Sequence, residues 1–225
     1  FTVWKDTAAP YTADNQAGDN AWRASDPGAI YDVDFYDLES LLTTAQYRLY
    51  SGAGQTGTLL KDWTTIAFLP GGTSHYAANW GVDFAAAVDG VNYASVRLYD
   101  RAGLTSQTSD VFYVRKDTTV PAIIDLQTGD DAWRGAPGTA YNVNFADLAS
   151  GLTTVQYRIT SAVGGGGTVL KDWTDIATGL GGVSSYNTDW TVDFSALPEA
   201  ATSYVSARAY DAAGQTASLS DIFYI

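Results

Sequence analysis

The chain contains no cysteine, which excludes a disulfide framework and any thiolate metal site and leaves packing and backbone ladders to hold the fold. Histidine occurs once, at position 75, so a histidine-based catalytic triad has a single candidate base and no cysteine alternative. Basic residues are scarce: 12 Lys and Arg stand against 25 Asp and Glu, a net charge of −13, so a nucleic-acid partner would meet like-charge repulsion. No apolar run is long enough to span a bilayer, and no signal peptide opens the chain. Methionine is also missing and the first residue is Phe1, which reads as a processed product or a window on something longer.

What is present is a balance of 46% hydrophobic and 16% charged residues with 22 Gly, 15 Tyr and 7 Trp, the composition of a strand-rich protein with many turns. The text is written twice. Asp6-Thr7-Ala8-Ala9-Pro10 returns as Asp117-Thr118-Thr119-Val120-Pro121, an offset of 111 that holds from Gly18-Asp19-Asn20-Ala21-Trp22-Arg23 to Gly129-Asp130-Asp131-Ala132-Trp133-Arg134. At an offset of 110 the match continues through Tyr31/Tyr141, Phe35/Phe145, Lys61-Asp62-Trp63/Lys171-Asp172-Trp173 and Trp80/Trp190. It returns to 111 for Arg97/Arg208, Tyr99-Asp100/Tyr210-Asp211 and Phe112-Tyr113-Val114/Phe223-Tyr224-Ile225. A period of this length is a whole domain rather than a solenoid unit. The expected organisation is a repeat over 6–116, a second over 117–225, and residues 1–5 written like the last strand of a preceding repeat.

Within each repeat, apolar residues alternate in short runs between turn signals. Tyr31, Val33 and Phe35, with Tyr141, Val143 and Phe145, are expected in the cores; Asp32 and Asp34 are expected on a solvated strand face. Ala45, Tyr47 and Leu49 give a second strand, and Trp80 to Phe84 and Ala94 to Leu98 give further ones. Ser51 to Gly57 and Gly164 to Gly167 read as unordered hairpin tips, each leading into a run that ends at Lys-Asp-Trp. No helical period of any length appears. The fold class expected is all-β, two tandem β-sandwiches of about seven strands each.

The strand Asn92 to Tyr99 ending in Asp100-Arg101-Ala102-Gly103, together with the Asp-Thr-Thr-x-Pro joint at 117–121, resembles the bacterial immunoglobulin-like repeats of large extracellular and surface proteins. The resemblance implies an immunoglobulin-like sandwich in an exported, non-enzymatic spacer, adhesin or fibre component, at the cell surface or outside the cell. The cysteines and the strand-core tryptophan of antibody domains are missing.

No catalytic constellation emerges. Asp32 and Asp34 share a strand face as paired acid-base carboxylates would, but their counterparts are Asn142 and Asn144, and His75 is matched by Ser185. Trp22 and Trp133, each followed by Arg, suit stacking on sugars or packing at a sandwich end. Asp6, Asp100, Asp110, Asp117, Asp211 and Asp221 recur at module ends and turns, where Asp caps turns with its own side chain and where oxygen ligands suit Ca2+. No metal site is expected; Ca2+ is the one cofactor left open. The expected function is a structural repeat of a fibre, filament or surface array. Its partners are copies of itself, head to tail, through Phe1, Val3 and Trp4 at one end and Ile222, Phe223, Tyr224 and Ile225 at the other. An adhesin or glycan-binding module is the alternative.

Overall fold

A computed structural model of the chain describes all residues except 17–20 and 128–131, so Gly18 to Asn20 and Gly129 to Asp131 of the repeated motif lie outside the described residues. The chain divides into two compact units, Phe1–Asp117 and Thr118–Ile225. The fold is all-β and immunoglobulin-like: in each unit a small sheet faces a larger one across a single apolar core.

In the first unit the strands are β1 (Tyr11–Asp14), β2 (Trp22–Arg23), β3 (Val33–Tyr36), β4 (Leu42–Gly52), β5 (Thr56–Thr73), β6 (His75–Tyr76), β7 (Gly90–Asp100) and β8 (Thr105–Lys116). One sheet has the order β1-β3-β6 and the other β2-β8-β7-β4-β5. Every pairing is antiparallel except β2 with β8. The second unit has β9 (Ala122–Asp125), β10 (Val143–Ala146), β11 (Leu152–Ala162), β12 (Gly166–Val183), β13 (Ser185–Tyr186), β14 (Tyr204–Asp211) and β15 (Thr216–Tyr224). Its sheets run β13-β10-β9 and β12-β11-β14-β15. The strand count is thus eight and seven among the described residues, close to the expected seven.

The alternation read from the sequence sets the inward faces. Tyr31, Val33 and Phe35, and Tyr141, Val143 and Phe145, are fully or almost fully buried. Around them, Trp80 bridges to Tyr31 through paired backbone bonds and sends its indole N–H to the Val33 carbonyl at 3.1 Å. The arrangement repeats at Trp190, which bonds Val143 at the same 3.1 Å. Phe112 stacks on Tyr31 with ring centres 4.2 Å apart, and Phe223 on Tyr141 at 4.2 Å, so each closing strand delivers an aromatic ring into its own core.

Three expectations are corrected. The Ser51–Gly57 segment is ordered: β4 extends to Gly52, a 3-10 turn covers Ala53–Gln55, and β5 starts at Thr56 and runs through Lys61-Asp62-Trp63 instead of ending there. The glycines at such tips supply positive φ, and Ser51 Oγ ties the hairpin by accepting from the Thr58 amide at 2.8 Å. Trp80 to Phe84 contributes only the Trp80 bridge, because residues 84–86 form a turn. Asp34, expected in solvent, is buried. Its Oδ2 lies 3.2 Å from His75 Nε2 and accepts from the Tyr36 hydroxyl at 3.2 Å, while the His75 and Tyr36 rings stack at 4.2 Å.

Candidate functional site

The residue types that suggested chemistry resolve mostly into scaffold. The Lys-Asp-Trp motif sits in β5, where Lys61 Nζ donates to Asp83 Oδ2 at 2.7 Å and Trp63 lies under two guanidinium groups, Arg48 at 5.1 Å and Arg97 at 4.3 Å. Its copy in β12 does the same with Lys171, Asp193, Trp173, Arg158 and Arg208. The Lys61 hydrogen bond holds the Asp83 carboxyl below its usual range, and Asp83 in turn raises Lys61. Lys171, helped by Ser195, lowers Asp193 to about 2. Asp34, His75 and Tyr36 form a contact of the first unit alone, because Asn144, Ser185 and Ala146 stand at the equivalent places. Asp110 and Asp221, offered by the sequence as oxygen ligands, are used elsewhere: each sits at a strand irregularity with φ of 52° and accepts from a hairpin-tip amide, Gly54 and Gly164 respectively.

Two features remain. The first is a group of carboxylates, Asp6, Asp37 and Asp100, whose oxygens all lie within 4.8 Å of one another. Three separate pieces of chain deliver them: the segment before β1, the turn after β3 and the end of β7. Each carboxylate spends one oxygen on its own backbone. Asp6 Oδ1 accepts from the Ala8 amide at 2.9 Å, Asp37 Oδ1 from Ser40 at 2.9 Å and Leu41 at 2.7 Å, and Asp100 Oδ1 from Leu104 at 2.7 Å. The Ser40 hydroxyl, and then the Ala8 amide, hold Asp6 below the usual carboxylate range. Asp37 and Asp100 are 2% and 5% exposed, and the Oδ2 of each is buried with no hydrogen-bond partner. Two carboxylates at this separation repel by roughly 3–4 kcal/mol at an effective dielectric of about 20. Asp6 and Asp100 were candidates from sequence; Asp37 was missed. The available signal was its recurrence as Asp37-Leu38 and Asp147-Leu148 at the common offset. In the second unit Asp147 and Asp211 keep the same turn bonds, to Gly151 at 2.7 Å and to Gln215 at 2.8 Å.

The second feature is a groove at the end of the second unit, about 430 Å3 in volume, lined by Trp133, Arg134, Phe194, Leu197, Tyr224 and Ile225 among others. In the first unit the equivalent place is filled by its own chain. There β8 runs on to Lys116, Arg115 and Lys116 pair in parallel with Trp22 and Arg23, and the Asp117 amide donates to the Arg23 carbonyl at 3.0 Å. Lys116 Nζ donates to the carbonyls of Phe84 at 3.1 Å and Ala87 at 2.8 Å and lies 5.0 Å from the centre of the Phe84 ring. Phe194 and Leu197 hold these places in the second unit, at the offset of 110. Trp22 is half-buried by its strand pairing whereas Trp133 is 79% exposed. Of the residues expected to drive assembly, Phe1, Val3 and Trp4 are exposed, Ile222 and Phe223 are buried in their own core, Tyr224 is exposed and Ile225 packs against the core's edge.

No protein-family model matches the chain, and no curated protein matches it. Among solved structures it is similar to a tetra-tandem repeat in the extending region of a large adhesion protein, with 18% identity over 94% of this chain and 47% of that one and a TM-score of 0.37. The chain thus spans about half the length of that structure. It is also similar to fibronectin(III)-like modules of Clostridium thermocellum CbhA, with 12% identity over 94% of this chain and 90% of that one and a TM-score of 0.30. Among the described residues, no helix is long and apolar enough to cross a membrane.

Proposed function

We propose that the chain is a non-enzymatic structural repeat of an extracellular or cell-surface assembly of the adhesion type, joined end to end through its terminal strands. The observation that carries this reading is the seat of Lys116. Inside the first unit, the end of the closing strand is gripped through two charge-assisted bonds to backbone carbonyls, a parallel two-residue pairing and an aromatic face. The second unit offers the corresponding groove. Trp4-Lys5-Asp6 occupies the same place in the repeat as Arg115-Lys116-Asp117. It follows three residues that stand free of the body, so a second copy can present Lys5 to the carbonyls of Phe194 and Leu197 while Phe1 to Val3 lie along the outer edge of β15, beside Ile222 to Ile225. Donor and acceptor surfaces differ, so the contact is heterologous and propagates as a filament unless its rotation closes a ring.

The absence of a catalytic reading rests on the same geometry. His75 and Asp34 are paired to each other and to Tyr36 in one repeat only, and the acidic pair suggested by Asp32 and Asp34 has one member buried in that contact. Deleting residues 1–5, or replacing Lys5→Glu, abolishes end-to-end association of the recombinant chain in light scattering and electron microscopy under this proposal. Association that persists unchanged in both variants refutes it, as does a wild-type chain that stays monomeric at every concentration. Glycan-array binding by the non-associating variant would support the adhesin alternative.

A further inference from the structure

We infer that the outer face of the large sheet in the first unit, around Phe68, Trp63, Arg48 and Arg97, binds an acidic polysaccharide whose rings carry carboxylates. The site uses none of the residues assigned to end-to-end contact, so one repeat can be both scaffold and adhesive. The two units supply an internal comparison. Both carry the same stacked frame: Arg48 and Arg97 lie 5.1 and 4.3 Å from the Trp63 ring, and Arg158 and Arg208 lie 6.0 and 4.3 Å from Trp173. Three positions on this face differ at the common offset. Phe68 is matched by Thr178, Tyr50 by Thr160 and Thr65 by Asp175. The second unit builds the corresponding strands β12, β11, β14 and β15 without them, so the sheet does not require them.

Charge selects the ligand's sign. In the second unit Asp172 lies 3.7 Å from Arg158 and Asp175 accepts from the Gln156 amide at 2.5 Å, so two carboxylates share the face with two guanidiniums. In the first unit Asp62 alone is paired with this frame among the described residues, 3.8 Å from Arg48 and with its side chain 72% exposed. A cationic surplus on one face of a chain of net charge −13 draws an anion there and nowhere equivalent in the second unit. The surrounding groups select a sugar. Phe68 is 71% exposed and lies opposite Thr44, which lies opposite Tyr99; the next row is Thr65, Gln46, Arg97 and Gln107. These two rows hold no aliphatic side chain, whereas the buried centre of a protein interface needs apolar anchors. An exposed aromatic ring beside hydroxyls and amides suits a polyhydroxylated ring, with its C–H face on Phe68 and its hydroxyls on the polar groups. Arg97 donates through Nε and Nη2 to Gln46 Oε1 at 3.2 and 2.7 Å, and Arg48 Nη2 donates to the Tyr50 hydroxyl. Those bonds and the Trp63 stack fix both guanidinium planes and leave most of their N–H donors for a carboxylate, which takes paired bonds from such a fork.

The test titrates the full chain with oligogalacturonate by calorimetry, with its methyl-esterified form, polyglutamate and dextran sulfate as comparisons. The wild type is expected to bind one oligomer, more weakly as NaCl rises from about 50 to 300 mM. Thr65→Asp and Phe68→Thr place the second unit's residues in the first, where the shared frame already accommodates them. Each is expected to weaken binding roughly tenfold while leaving the thermal midpoint of the first unit nearly unchanged. The reverse exchange, Thr160→Tyr with Asp175→Thr and Thr178→Phe in the second unit, is expected to raise the stoichiometry from one to two. A wild-type chain that does not bind overturns the inference, as do first-unit variants that bind fully. Equal affinity for the methyl ester overturns the acidic class, equal affinity for polyglutamate overturns a saccharide, and a preference for dextran sulfate overturns the carboxylate. End-to-end association of the same variants in light scattering is expected to match the wild type, so a failure of this site and a failure of assembly are read separately.

Discussion

Replacing Trp80 tests the core in a way the duplicated sequence makes unusually clean, because Trp190 serves as an internal control. Trp80 is 5% exposed, its ring lies against Tyr31, Phe35, Tyr47 and Phe112, and its N–H satisfies the buried Val33 carbonyl at 3.1 Å. Trp80→Ala removes the ring and the bond together and is expected to cost about 3–5 kcal/mol. Trp80→Phe keeps an aromatic body and removes the N–H, so its cost comes from a smaller ring and an orphaned carbonyl, about 1–3 kcal/mol. A domain of this size holds about 5–15 kcal/mol in all. With a urea m-value of roughly 1.5 kcal/mol/M, the alanine variant lowers the first unit's midpoint by about 2–3 M and the phenylalanine variant by about 1–2 M. Two resolved transitions, one per unit, are required to read the effect. Trp80→Ala should shift one and Trp190→Ala the other. Equal costs for Ala and Phe would show that the Val33 bond rather than packing dominates; a shift of both transitions by either variant would refute two separate cores.

Other outcomes follow from single contacts. Asn92, fully buried, holds Val88 through both amide and carbonyl and also donates to the Val114 carbonyl at 3.2 Å, so Asn92→Ala should cost about 2–3 kcal/mol in chemical denaturation. Gly151 has φ of 80° and its α-carbon faces the Gly182 backbone so closely that a β-carbon would collide with the Gly182 carbonyl; Gly151→Ala should destabilise the second unit by more than about 1 kcal/mol, while Gly214→Ala, with open space, costs only its φ strain. The Lys171–Asp193 pair sets a pH window. A depressed carboxyl contributes stability present above its unfolded value near 3.8 and lost as pH falls through about 2, so Asp193→Asn should flatten the stability profile of the second unit across that interval and leave the first unit's profile unchanged. An unchanged acid limb in that variant would count against the pair.

The sandwich was legible because alternation is a local signal with a global meaning: once Tyr31, Val33 and Phe35 point one way, every neighbour must respect the pleat. The hairpin tips were misjudged for the opposite reason. A glycine-rich run reads as unordered, yet at Gly54, Gly57 and Gly167 its positive φ is what lets a long ribbon close, with Ser51 and Ser161 hydroxyls fastening it from seven residues away. Asp34 eluded the reading because its burial depends on His75, 41 residues on, which pairs with it only after β3 and β6 meet. Only its recurrence as Asp147 at the common offset sets Asp37 apart from other turn aspartates in the sequence. Its significance arises when the end of β7 brings Asp100 to it, and no spacing in the sequence records that encounter.

Lys116 is where scaffold and function can be separated by one further substitution. Its ammonium meets the carbonyls of Phe84 and Ala87 and lies 5.0 Å from the centre of the Phe84 ring, so Lys116→Met keeps an unbranched side chain of similar length and removes the donors. Two carbonyls then lose a charged partner, an expected cost of about 2–3 kcal/mol to the first unit, measured against the unaffected second. If Lys116→Met is neutral, the lysine is an incidental occupant of its groove, and the argument that Lys5 seats in the corresponding groove of another copy loses its template. If the cost appears, the same donors are available to Lys5, and the strength of the intermolecular contact is then limited by the entropy of ordering residues 1–5 and of bringing two chains together. A lysine costing little within the chain could not supply that surplus between chains, so the intramolecular measurement sets the upper bound on what end-to-end assembly through this groove can gain from it.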